Sequence, residues 1–287
     1  MKTGIIDIGS NSVRLALSAD GKTLFKRLKT TRLGEGLSIT GKLSSAAIER
    51  TASAVAAFYA EAEKDGAEKV YVFATAAVRS SSNGSEFTQY VKAHHGIDVD
   101  VISGETEAEI ALLGALGNSD GGIIDLGGAS CEVTVREGGA VVYTKSVNVG
   151  AVRLLDTCGR DRDKLEKYID EKLKEYGRLD ASKYAMCGVS GTATSLAAAK
   201  HRLKVYDPTI VHGTVLTAED IKVFADMFLS MTVEEIKNLG FVSVWRADVI
   251  GGASLFLYRL MQYMNISMFT VSENDNLEGY LIYRDKR

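Results

Sequence analysis

Apolar and polar positions along the chain change period in blocks, from two residues to about three and a half and back. Ile5 to Ile8 is an apolar run that carries one acid, Asp7. After a turn at Gly9-Ser10-Asn11, Val13, Leu15 and Leu17 alternate with Arg14, Ala16 and Ser18, as on a half-buried strand. Asp20-Gly21 signals a hairpin turn, and residues 23–28 return beside it. Residues 43–64 then place Ile48, Ala52, Val55, Phe58 and Ala62 at helical spacing. A strand over 70–74, a helix near 85–93, a strand over 99–102 and a helix over 105–116 complete the first half. The second half begins with another hairpin, out over 132–136, turning at Gly138-Gly139 and back over 141–149. A helix over 162–176, a strand over 184–187 and a helix over 192–200 follow. Helices within 217–263, a strand over 268–271 and a terminal helix close the chain. Thr217 with Asp220, and Thr232 with Glu235, have the spacing of capping boxes.

The two halves repeat each other. Ile5-Ile-Asp-Ile-Gly-Ser-Asn-Ser-Val13 aligns without a gap on Ile123-Ile-Asp-Leu-Gly-Gly-Ala-Ser-Cys131. Asp7 falls on Asp125, Gly9 on Gly127, Ser12 on Ser130, and the register holds to Gly21 on Gly139. Each half is thus a three-strand start followed by alternating helix and strand, which predicts two α/β lobes with sheets flanked by helices. We expect the lobes to span residues 1–118 and 119–287, meeting at the polar stretch 117–120, with an active cleft between them.

Composition narrows the possibilities. A chain of 287 residues suits two domains. A net charge of −3 gives no nucleic-acid coat or membrane-binding surface. No apolar run is long enough to span a bilayer. Asp7, inside the first apolar run, argues against a signal peptide. Cys131, Cys158 and Cys187 show no paired spacing, which speaks against a disulfide framework or structural zinc and for a reducing cytoplasm. His94, His95, His201 and His212 lack metal-ligand spacing.

The repeated turns carry the chemistry. Small residues in a tight turn let an anion approach successive backbone N–H groups, and such nests bind phosphate. Gly9, Ser10, Asn11 and Ser12 form one candidate loop, and Gly127, Gly128, Ala129 and Ser130 the other. An acid at each entrance, Asp7 or Asp125, would repel bare phosphate. It becomes useful when a divalent cation lies between, since Mg²⁺ favours one or two carboxylates plus phosphate oxygens. Read singly, each segment is equally an ordinary hairpin turn. Two copies in register, each with its acid, favour phosphate.

With these motifs the chain resembles the exopolyphosphatase and guanosine-pentaphosphatase (Ppx/GppA) family, of the short two-domain type. The resemblance rests on Asp7-Ile-Gly-Ser-Asn-Ser12, Thr31-Arg-Leu-Gly-Glu-Gly36, Ala74-Thr-Ala-Ala-Val-Arg79 and Ser103-Gly-Glu-Thr-Glu-Ala108. It continues with Asp125-Leu-Gly-Gly-Ala-Ser130, Gly188-Val-Ser-Gly-Thr192, His212-Gly213 and Arg246-Ala-Asp-Val-Ile-Gly251. It implies a duplicated actin-like (ribonuclease H-like) fold and a Mg²⁺-assisted, or other divalent-cation-assisted, phosphohydrolase. The implied substrate is inorganic polyphosphate or a guanine nucleotide alarmone.

By the same resemblance Glu107 is the catalytic glutamate, a base for the attacking water. From sequence alone it is equally one of three acids, with Glu105 and Glu109, that favour a helix start. Glu132 shares a strand face with Ser130 and takes a catalytic part in positioning metal or water, or else faces solvent. Arg79 follows a strand and by the resemblance is a phosphate ligand suited to bidentate contact, where sequence alone gives a surface arginine. Gly191 and Thr192 open a helix whose N–H groups suit another phosphate, or equally form a structural tight turn. Asp7 and Asp125 are the metal candidates. Two positions depart from the family pattern. Ala129 stands where a third glycine is usual, which would be strained at a positive φ, and Leu277 replaces an arginine before Glu278-Gly279. An ATP-dependent small-molecule kinase of the same superfold and a catalytically silent phosphate sensor therefore stay open, as does a homodimer.

Overall fold

The computed structural model describes residues 1–285. The chain divides into two compact units. The first contains residues 1–114 and the segment from Asn276, and the second is Ala115–Asp275.

In the first unit β1 (Lys2–Ile8), β2 (Ser12–Ala19), β3 (Lys22–Thr30), β4 (Lys69–Ala74) and β5 (Asp100–Val101) form one sheet in the order β3-β2-β1-β4-β5. The first three strands are antiparallel neighbours, and β4 and β5 run parallel to β1. The second unit has β6 (Gly121–Leu126), β7 (Cys131–Glu137), β8 (Ala140–Val147), β9 (Met186–Val189), β10 (Val215–Thr217) and β11 (Met268–Val271). Their order is β10-β11-β9-β6-β7-β8. Without the added edge strand β10 this is the first sheet's order again, so the sequence repeat is a repeat of topology. Both hairpins turn on paired positive φ values, 50° and 76° at Asp20-Gly21 and 61° and 78° at Gly138-Gly139. A type I′ turn requires such angles to match strand twist.

Burial explains the strands. On β2, Val13, Leu15 and Leu17 are buried, and Arg14 between them is partly exposed. The helix Ser45–Lys64 lays Ala47, Ile48, Ala52, Val55 and Phe58 on one face of the first sheet, with the Ser44 hydroxyl accepting from the Ala47 amide at its start. The second unit centres on the helix Ile250–Tyr263, most of whose residues are buried. Thr217 and Thr232 both close the capping boxes expected of them.

Three differences from the sequence reading stand out. The strand expected over 184–187 is Met186–Val189, because Tyr184 is held in a turn by its amide bond to the Ala181 carbonyl. The returning strand of the second hairpin ends at Val147, and a helix not anticipated, Ala151–Cys158, follows Gly150. The terminal helix Asn276–Asp285, counted by sequence with the second lobe, packs in the first unit. Leu277 is 1% exposed there, among Ile5, Ala16, Phe73, Ile102 and Ile110, and Tyr280 stacks on Phe73 at 4.3 Å. Gly279 permits the contact, since a Cβ on it would lie 1.8 Å from the Ile110 carbonyl oxygen. Gly279→Ala should therefore cost about 1–3 kcal/mol through overpacking. Urea unfolding measures this, and an unchanged midpoint would mean the two helices do not pack this closely.

Candidate active site

In the first unit the residues after β1 form a turn closed by the Gly9 amide on the Ser12 carbonyl, at 3.0 Å. The turn's other carbonyls are tied backwards. Asn11 O accepts from the amides of Thr31 and Arg32, and Ser10 O accepts from the Gly34 amide. The segment Thr31-Arg-Leu-Gly34 thus braces the loop from behind. Among the described residues the Ser10 and Asn11 amides donate to no backbone carbonyl. Carbonyls turned away and amides left over define an anion-binding nest.

The second unit repeats the device. The Gly127 amide donates to Ser130 O at 3.0 Å. Gly127 O accepts from the Ala151 amide, Gly128 O from the amides of Val152 and Arg153, and Ala129 O from Arg153 Nε at 2.9 Å. The brace here is the first turn of the helix Ala151–Cys158. It requires Gly150, where a Cβ would sit 2.3 Å from the Gly128 carbonyl carbon and 2.4 Å from the Ala129 nitrogen. Ala129 is not among the residues with positive φ, so alanine is accommodated in this loop without strain.

The acids at the two loops differ in their partners. Asp7 is 3% exposed and faces Arg14 across the β1–β2 pair. Arg14 Nε donates to Asp7 Oδ2 at 3.1 Å, and Arg14 Nη2 contacts the same oxygen. At the matching place in the second unit Asp125 faces Glu132. Side chains so opposed lie about 4.5–5.5 Å apart at Cβ, and like charges there repel. Glu132 also accepts from the Ser146 hydroxyl. The first copy of the repeat thus sets its acid opposite an arginine, while the second sets two acids opposite each other. No group of three or more His, Cys, Asp or Glu clusters among the described residues. A divalent ion held by Asp125 and Glu132 would keep its other positions for water and phosphate oxygens, which suits Mg²⁺.

Glu107 and Arg79 meet. Arg79 Nη1 donates to Glu107 Oε2 at 2.8 Å and to Ile102 O at 3.0 Å. The helix Gly104–Leu116 separates the roles of its acids. Glu105 is held below the ordinary carboxylate range, first by its own backbone amide and then by the Ser103 hydroxyl. It serves the helix start, and Glu107 points instead to the arginine.

After β9 the chain enters the helix Ser190–Lys200 through Ser190, a non-glycine at φ 68°. Such a conformation is uncommon and is kept where surroundings enforce it. Here the hydroxyls of Ser190 and Thr192 both donate to Leu126 O at 3.1 Å, anchoring the helix start to the end of β6. Thr192 is 1% exposed, and its hydroxyl is committed to Leu126 O. Against Gly191 lies Arg246, whose Nη2 is 1.7 Å from where a Cβ would stand. Burial lowers the Arg246 pKa, opposed by the Tyr206 hydroxyl. Arg246 forms no salt bridge among the described residues. A half-buried guanidinium beside a helix start, with no carboxylate, is a place for an anion. Sequence reading named Arg246 within a family motif without placing it on Gly191, and it did not connect Gly150 to the second loop.

These loops stand at the carboxyl ends of parallel strands, where α/β sheets bind ligands. The fold is a duplicated α/β one, with the same strand order repeated in the two sheets. The chain belongs to the Ppx/GppA phosphatase family, whose sequence profile matches residues 15–285. It is 30% identical to exopolyphosphatase 2 of Mycobacterium tuberculosis, over 97% of both chains. It is 29% identical to a bifunctional 3-dehydroquinate synthase/phosphatase of Fusobacterium nucleatum, covering 96% of this chain but only 46% of that protein. Among solved structures, the Ppx/GppA family member of Aquifex aeolicus superposes with a TM-score of 0.84 at 30% identity, over 100% of this chain and 98% of that one. No helix among the described residues is long and apolar enough to cross a membrane.

Proposed function

We propose that the protein hydrolyses the terminal phosphoanhydride bond of a phosphate chain, either inorganic polyphosphate or the 5′ end of guanosine pentaphosphate. The observation that carries this is the pair of braced loops, each with its carbonyls turned back and its amides left for an anion. The exopolyphosphatase relative of matching length supports the same substrate class. In the first unit, Arg79 and the amides of Ser10 and Asn11 hold phosphate oxygens, and Glu107 accepts the proton of the attacking water. In the second unit, the amides of Gly128 and Ala129, the start of the helix at Gly191-Thr192, and Arg246 hold phosphate oxygens. Asp125 and Glu132 would hold Mg²⁺, which when bound would neutralise charge on the phosphoryl group. Both departures from the family pattern are compatible with activity: Ala129 needs no positive φ, and Leu277 is a core residue. The three buried free thiols suit a reducing, cytoplasmic setting.

Asp125→Asn and Glu132→Gln should each raise the Mg²⁺ concentration that gives half-maximal phosphate release, by roughly tenfold, or about 1.4 kcal/mol in binding. Asp7→Asn should move it less, because Asp7 already holds Arg14. Mg²⁺ titration of activity decides this. Unchanged midpoints in both second-unit variants would remove the metal role.

A further inference from the structure

We infer that Arg79 changes partners during turnover, leaving Glu107 for the terminal phosphoryl group and so tying the release of the base to the arrival of substrate. This rests on the reading of Glu107 as the base and Arg79 as a phosphate ligand.

The starting arrangement is specific. One guanidinium nitrogen, Nη1, is shared between Glu107 Oε2 at 2.8 Å and Ile102 O at 3.0 Å. The Ile102 carbonyl fixes the head at the end of the loop before the helix Gly104–Leu116, while Arg79 lies in the last turn of the helix Ala76–Ser80. Both partners of the ion pair are accessible, at 33% and 28% of their side-chain surface, so the pair can open without unfolding anything around it. A carboxylate held by an arginine is a poor proton acceptor, because the cation stabilises its charged form. A terminal phosphoryl group carries more negative charge than one carboxylate and offers three oxygens to the planar fork of an arginine. It therefore competes for the same guanidinium. Once Arg79 has moved, Glu107 lacks that cation and lies beside new negative charge, and both changes raise its affinity for a proton. In the step that follows, the water oxygen bonds to phosphorus and the bridging P–O bond breaks. The leaving phosphate takes the bonding electron pair, and the water proton passes to Glu107. The resting ion pair thus keeps the base quiet until a phosphoryl group is present to receive the arginine.

Competition for one cation is measurable without turnover, with inorganic phosphate as the probe. Glu107→Gln removes the competitor, so it should bind phosphate about three- to tenfold more tightly than the parent protein by calorimetry. The gain falls below what a fully charge-assisted bond contributes, because both groups are partly solvated. In the Arg79→Gln background the same change should give a clearly smaller gain, since only relief of like-charge repulsion remains once the contested guanidinium is gone. A gain equally large without Arg79 would reflect general charge removal alone and would overturn the exchange, as would unchanged or weaker phosphate binding in Glu107→Gln. Turnover of Glu107→Gln separates the two claims. Lost turnover without tighter phosphate binding overturns the exchange and leaves the base assignment standing. Retained turnover with Arg79-dependent tightening overturns the base assignment while the contest for Arg79 remains.

Discussion

Replacing Glu107 with Gln should lower single-turnover phosphate release by on the order of 10²–10⁴-fold, the usual contribution of a positioned general base. The substitution keeps the shape of the side chain and removes its ability to accept a proton. It leaves the capping of the helix Gly104–Leu116 intact, because Glu105 and Ser103 make the bonds at that helix start. The loss should therefore appear in the chemical step, with the folded state unchanged in thermal unfolding. Release at a near-parental rate under single-turnover conditions would show that Glu107 only pairs with Arg79.

Replacing Gly150 with Ala should be nearly as damaging, though Gly150 lies outside the phosphate loop itself. Its added Cβ would meet backbone atoms of Gly128 and Ala129 at 2.3–2.4 Å, and backbone cannot swing aside as a side chain can. The second loop must shift, and with it the amides turned towards the anion. Loss of one aligned donor in such a site typically costs roughly 10²–10³-fold in rate. Overpacking adds about 1–3 kcal/mol of destabilisation. Comparison with Gly138→Ala separates the two effects, since Gly138 takes a positive φ in a hairpin turn with open space around it. That variant is strained but leaves the loop alone, so it should lose stability and keep kcat/KM. Equal kcat/KM in the two variants would mean that Gly150 does not position the loop.

The repeat was legible because a duplicated hairpin keeps the same residues at the same spacing, and Asp7 on Asp125 and Gly21 on Gly139 suffice to show it. It led correctly to a sheet in each half, since strand period and turn chemistry are local properties. The alignment of Glu132 with Arg14 was also visible, but its consequence needed the register of the strands. Only there does Asp7 face a cation and Asp125 a second acid. Contacts between distant segments were hidden. Nothing around Arg246 says that its guanidinium lies on Gly191, and nothing around Gly150 says that it abuts Gly128. The short helix Ala151–Cys158 was missed because the apolar run through Val147 and Val149 reads as a continuing strand. Leu277 read as a missing cation, whereas its position is an apolar one between helix and sheet.

The proposed reaction is hydrolysis of a terminal phosphoanhydride with Mg²⁺ held by the second unit. Phosphate release from inorganic polyphosphate, guanosine pentaphosphate and ATP, side by side with and without Mg²⁺, tests it most directly. The expected result is Mg²⁺-dependent release of orthophosphate from polyphosphate, guanosine pentaphosphate or both, in clear excess over ATP. Release from none of the three, or release that is indifferent to Mg²⁺, would contradict it.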